Sequence, residues 1–205
     1  MSDLNLQIVR EFFELNRFQV MTHWQHDDAG WTGGEAAPLL FIEQVEPEPG
    51  DAPEFLLNPQ EVSAVQRAVV EVRAWHADKF YPSVVENNAV LGNVASESTR
   101  ALAEHVLRSK EFTNILIVSE LPHGVEPRQR SLELLRAKGI AHVIEFPTLL
   151  GDMLERLSPH ANYAPSSTLQ TMRLLKRYGF IKRQQLEFEF PPHSKGARSY
   201  RGPSK

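Results

Sequence analysis

Residues 68–76 read AVVEVRAWH, and the fold turns on this stretch. Its β-branched residues recur in a strand-like pattern. A period of two sets Glu71 and Arg73 on one face and Val70, Val72 and Ala74 on the other. It is the best candidate in the chain for a central strand, and it carries a charged pair into the sheet.

On the N-terminal side, Leu4 to Phe18 reads as an amphipathic helix. Ile8, Val9, Phe12, Phe13 and Leu15 share a wide apolar arc, with Ser2 or Asp3 available as cap. Glu11 borders that arc, whereas Glu14 faces away from it. Residues 18–25 and 38–45 read as two strands joined through the Asp- and Gly-rich turn 26–34, a β-hairpin with a long loop. The acidic, proline-rich run 46–58 is expected as a surface loop. Pro59 to Gln66 is expected as a short helix capped by Asn58.

On the C-terminal side, residues 77–95 are expected as a loop. A helix is predicted over 96–109 and a buried strand over 115–121. A helix over 128–138 stops at Gly139, and a further strand follows over 140–146. Strand, helix and strand with short links imply a parallel pair. A short helix over 148–157, a linker over 158–167, an amphipathic helix over 168–178 and an edge strand over 186–190 complete the order. From Pro191 onward the composition is that of a tail.

The totals narrow the functional classes. With 41% hydrophobic and 23% charged residues, the composition is that of a globular chain rather than a disordered one. No apolar run approaches the roughly 20 residues that cross a bilayer. The first six residues lack the pattern of a secretory signal, so cytoplasmic location and no membrane partner are expected. The chain has no cysteine, which removes disulfides, zinc–thiolate sites and cysteine nucleophiles. No G-x-G-x-x-G, G-x-x-x-x-G-K-[ST] or G-x-S-x-G motif is present, so dinucleotide, P-loop and α/β-hydrolase chemistry lose their main support.

The order helix, hairpin, Glu-x-Arg strand, helix, strand, helix, strand resembles the restriction-endonuclease-like, or PD-(D/E)XK, superfamily. The resemblance covers about residues 4–157. It implies an α/β fold with a mixed sheet flanked by helices, a nuclease-like domain over 1–157. A C-terminal helix and short strand would occupy 158–190, and a basic tail of disordered composition 191–205. It also implies a site. In that family an Asp near the start of the second strand and a Glu-x-Lys on the third hold Mg²⁺ and position the attacking water. A Glu from the first helix often joins them.

By resemblance the catalytic candidates are Glu71, Arg73 and Glu11, with Glu71 as metal ligand only if the chain is active. The pattern departs from the family at two points. Arg73 replaces the Lys and does not deprotonate at ordinary pH. Ala37, Pro38, Leu39 and Leu40 stand where the Asp is expected. Glu35, Glu43, Asp27 and Asp28 substitute for it only in a different register. A sheet ion pair between Glu71 and Arg73 is the competing reading, and no cofactor is expected unless Mg²⁺ serves a nuclease.

Two other clusters stand out. His23, His26, Asp27 and Asp28 are metal-ligand types. However, a spacing of three on a strand points the two histidines to opposite faces, which favours a strand end running into a turn. Trp75, His76, Asp78, Lys79, Phe80, Tyr81 and Pro82 crowd the end of the central strand, where open sheets build sites. The simpler reading is a loop folding its own aromatics over the sheet.

Charge is uneven. Residues 171–205 hold nine Lys and Arg against two acids, a net +7, while the remainder carries −11. Arg173, Lys176, Arg177, Lys182, Arg183, Lys195, Arg198 and Arg201 are the expected contacts to nucleic acid or to an acidic protein surface. On the helix, Leu169, Met172 and Leu175 are expected inward, and Arg173, Lys176 and Arg177 outward. The leading expectation is a non-catalytic or weakly catalytic nuclease-fold protein that binds nucleic acid or serves as an assembly subunit. The alternatives are an active Mg²⁺-dependent nuclease and a scaffold that binds only protein.

Overall fold

The computed structural model describes residues 3–22, 39–46 and 52–181. Five strands form one mixed sheet in the order β1-β2-β3-β4-β5. They are β1 (Phe18–Thr22), β2 (Leu39–Gln44), β3 (Arg67–Arg73), β4 (Thr113–Val118) and β5 (His142–Glu145). Strand β1 runs antiparallel to β2, and β2 antiparallel to β3. From β3 onward the pairs are parallel, with Glu71 opposite Leu116 and Ile115 opposite His142. The α/β class, the hairpin and the parallel pairing of β4 with β5 follow the sequence expectation. The edge strand expected over 186–190 lies outside the described residues.

Helices cover both faces, as parallel strands require. Helices α1 (Asp3–Leu15), α5 (Phe146–Arg156) and α6 (Ser167–Arg177) lie on one side. There Val9, Phe12 and Phe13 join Leu40, Ile42, Val70, Val72, Ile117, Met153 and Leu169 in one core. Helices α2 (Pro82–Asn87), α3 (Glu97–Leu107) and α4 (Val125–Ala137) lie on the other, with a 3-10 segment, Ala89–Ala95, between α2 and α3. Leu39, Phe41, Val69, Leu116, Val118 and Val143 face that layer, which supplies Val85, Leu91, Val94, Ala103 and Leu135. Strand β3 is therefore buried on both faces.

The local signals explain most boundaries. Asn16 ends α1 by donating its side-chain amide to Phe12 O at 2.9 Å, and Arg17 follows in the left-handed region at φ 63°. Pro147 suits the first turn of α5, so that helix starts at Phe146 and β5 stops at Glu145. The helix expected over 59–66 is only a 3-10 turn at Val62–Ala64. The loop expected over 77–95 instead contains α2 and the 3-10 segment. The far edge of β5 is met by residues 55–57, where Leu57 N donates to Val143 O and Val143 N to Phe55 O. Among the described residues no helix is long and apolar enough to cross a membrane.

Gly139 ends α4 at φ +84°, and a Cβ there would sit 3.2 Å from the Ala95 Cβ. Gly139→Ala is expected to cost about 1–2 kcal/mol through backbone strain and that contact. A chemical-denaturation midpoint unchanged from wild type would contradict this.

Candidate functional site: the buried ion pair and the end of helix α6

The alternation of β3 brings Glu71 and Arg73 together on the face covered by the second helix layer. They are 1% and 7% exposed. Arg73 Nε donates to Glu71 Oε1 at 2.6 Å, and Arg73 Nη2 lies the same distance from that oxygen. Glu71 Oε2 and Arg73 Nη2 close no hydrogen bond. Burial pushes the Glu71 carboxyl above the usual carboxylate range. The Arg73 charge and hydrogen bond, and more weakly the Val94 backbone, pull it back. Val94 belongs to the 3-10 segment, so the stretch without a long helical period is what closes over the pair.

Among the described residues no group of three metal-ligand side chains forms around the pair. Its flanking neighbours across the sheet are Leu39 on β2 and Leu116 on β4. Glu11 is also buried, but on the opposite side of the sheet. Its Oε1 accepts from Gln7 Nε2 at 3.0 Å and from Ser166 Oγ at 2.5 Å. Ser166 is the N-cap of α6 and accepts from Leu169 N at 3.0 Å. Glu11 thus fastens the start of α6 to α1 and does not meet Glu71. Magnesium prefers several oxygen ligands and retains water. One enclosed carboxylate already holding a guanidinium does not fit it.

The aromatic cluster after β3 folds onto itself. Trp75 and Phe80 stack with centroids 5.2 Å apart at 11°, and Phe80 N donates to Glu120 O at 2.7 Å. His76 Nε2 lies 3.2 Å from Asn5 Oδ1, and its ring meets Phe146 edge-on. Lys79 pairs with Glu120, and the Ser119 hydroxyl donates to Asp78 O. These groups tie the strand ends together. The cluster His23, His26, Asp27 and Asp28 lies outside the described residues, as do Glu35, Ala37 and Pro38.

Helix α6 departs from its expected orientation. Leu169 is buried and Met172 packs on the core, but Leu175 is 39% exposed and Leu174 38%. Lys176, expected outward, lies over the C-terminal end of α5. Its Nζ donates to Leu154 O at 2.5 Å, Leu157 O at 2.6 Å and Glu155 O at 3.3 Å. A cation is stabilised there by the unpaired carbonyls and the helix dipole. Arg173 is half-buried, with an Nε that makes no hydrogen bond. Only Arg177 of the three is exposed. Lys182, Arg183, Lys195, Arg198 and Arg201 lie outside the described residues.

The sequence reading missed the two aromatics beside Arg177. Tyr178 is 69% exposed and Phe180 78%. Gly179 turns the chain at φ +75°, with Phe180 N donating to Leu175 O at 2.9 Å. The signal was present as RYGFIKR over 177–183, aromatics interleaved with cations.

A stability cycle tests whether Glu71 and Arg73 are structural. Arg73→Met is expected to cost about 3 kcal/mol near neutral pH by stranding a buried carboxylate, whereas Glu71→Leu with Arg73→Met recovers most of that loss. A double variant as unstable as the sum of the singles would contradict it. The pH dependence has a defined sign. A raised folded-state value favours the protonated carboxyl, so its contribution is full below the ordinary value of 4.5 and is lost as pH rises through the raised one. Arg73→Met removes the opposing charge and should steepen that decline, read from unfolding free energy at successive pH values. Lys176→Met is expected to lower stability by about 1–2 kcal/mol, and Arg177→Met to leave it within about 0.5 kcal/mol. Equal effects would place Lys176 in solvent.

Compared with family models, curated proteins and solved structures, the chain shows no significant match.

Proposed function

We propose that this chain is a non-catalytic, restriction-endonuclease-like protein of the cytoplasm that binds single-stranded nucleic acid at the end of helix α6. The observation that carries the reading is the exposed pair Tyr178 and Phe180 beside Arg177, at 69% and 78% exposure. Bases stack on such rings without regard to sequence, while flanking cations meet phosphates. The rings sit within the segment 171–205, which carries nine Lys and Arg against two acids. Its remaining cations offer further phosphate contacts.

The fold assignment is supported by the order of α1, the antiparallel β1–β2–β3 unit and the parallel β4. Absence of catalysis is supported by the enclosure of Glu71 and Arg73, by Leu39 as the strand neighbour of Glu71, and by the separate engagement of Glu11. Among the described residues no second carboxylate stands beside Glu71 to share a metal with it, as a metal-dependent nuclease site requires.

A second reading rests on Leu174 and Leu175. Their half-exposed side chains extend the aromatic pair into an apolar strip, which suits a protein partner. An assembly subunit would use the strip and not the charges.

The two readings separate in fluorescence-anisotropy titrations with single-stranded DNA and RNA across a salt series. Tyr178→Ala with Phe180→Ala is expected to weaken binding about tenfold or more and to leave the salt slope unchanged, because stacking releases no counterions. Replacing Arg177 should reduce the slope by about one. No binding at low salt, or binding indifferent to the aromatic pair, would overturn the nucleic-acid reading. Mg²⁺-dependent cleavage lost in Glu71→Ala would overturn the non-catalytic one.

A further inference from the structure

A cleft of about 340 Å³ opens on the α3 side of the molecule, at the start of β4. It lies at the end of the parallel strands opposite the Trp75–Phe80 stack. The volume falls at the lower end of small-ligand sites. Its lining combines two cations, one aromatic ring and small residues.

Arg100 reaches the cleft from α3, and Lys110 from the turn before β4. Among the described residues the Arg100 side chain pairs with Glu104 alone, loosely at 3.4 Å. Lys110 makes no ion pair or hydrogen bond among the described residues. Glu97 and Glu111 are the nearest acids in sequence, and neither pairs with these two cations among the described residues. Two like charges on one concave wall, with one weak counter-charge, favour an anion. The half-buried Phe112 ring lines the same cleft while packing on the core behind it.

The space is built rather than incidental. Ala95, Gly139 and Ala141 line it, and a Cβ on Gly139 would come within 3.2 Å of Ala95. Asn114 fixes the opposite rim, donating from Nδ2 to Gly139 O at 3.2 Å and accepting from Ala141 N at 2.8 Å. Its amide links β4 to the segment before β5, so the walls are held before any ligand arrives.

We propose that this cleft binds a phosphomonoester carrying a flat ring, of mononucleotide size, with Arg100 and Lys110 on the phosphate and Phe112 against the ring. Paired cations suit a doubly charged phosphate, and charge-assisted hydrogen bonds supply the orientation. An aromatic wall adds contact that inorganic phosphate cannot use. The site lies across the sheet from α6 and is independent of the nucleic-acid reading.

Isothermal titration calorimetry of the full chain with AMP, inorganic phosphate and adenosine tests the assignment. AMP is expected to bind more tightly than either fragment. Arg100→Ala with Lys110→Ala should weaken AMP by about tenfold or more. Both side chains are exposed, so a melting temperature matching wild type is expected for that variant. Phe112→Leu should weaken AMP and leave inorganic phosphate unchanged. No heat with AMP at millimolar concentration, equal affinity in the double variant, or AMP no tighter than inorganic phosphate would each overturn the proposal. AMP binding that persists in Tyr178→Ala with Phe180→Ala keeps this site distinct from the α6 surface.

Discussion

Taking a carboxylate and a guanidinium out of water costs roughly several kcal/mol per ion, and the attraction between them offsets it only when the geometry is good. Strand β3 is organised around that constraint. It sits where the antiparallel half of the sheet meets the parallel half, and both its faces are covered. Glu71 and Arg73 are therefore largely removed from water and lean on each other. Their contact at 2.6 Å lets the most enclosed strand carry charge, and Leu39, Leu116 and the 3-10 segment pack around it. The raised Glu71 carboxyl shows that compensation is incomplete, since burial outweighs the pull of Arg73.

The same solution recurs at smaller scale. Glu11 holds the Ser166 hydroxyl across 155 residues of chain. Glu145, at the end of β5, accepts from Leu121 N at 2.8 Å and from the Arg128 guanidinium. Asn114 bridges Gly139 and Ala141, and Lys176 gathers three carbonyls at the end of α5. In each case a polar side chain satisfies backbone or side-chain groups from distant segments, which is what a buried polar group requires. Catalysis needs the reverse, a group with unused capacity facing a space that substrate can enter.

This distinction decides what was legible in the sequence. Period-two alternation identified β3 and placed Glu71 and Arg73 together, because the strand period is a local property. Gly139 marked the end of α4 for the same reason. The 3-10 segment was not legible, because seven residues of AVLGNVA hold no helical period long enough to register. Yet that segment encloses the pair. Glu11 was legible as bordering an apolar arc, but its partner Ser166 was not. Lys176 was assigned to solvent from the helix period alone. A helix wheel shows which side is polar, but not that a neighbouring helix ends there with open carbonyls.

The basic end is consequently a different object from the one its composition suggests. Lys176 is spent on α5 and Arg173 is half-enclosed, so the described part of α6 offers one exposed cation, Arg177. What it offers in addition are rings. Tyr178 and Phe180 lie on either side of a glycine that reverses the chain, and neither is needed by the core. A large aromatic left in water adds no burial free energy to the fold. Charge alone attracts phosphate wherever it lies, whereas a ring beside a cation fixes where a base must sit. Glu11, Asn114, Glu145 and Lys176 are each engaged by partners inside the fold. The rings at its end have no partner in the core, and the binding reading rests on that contrast.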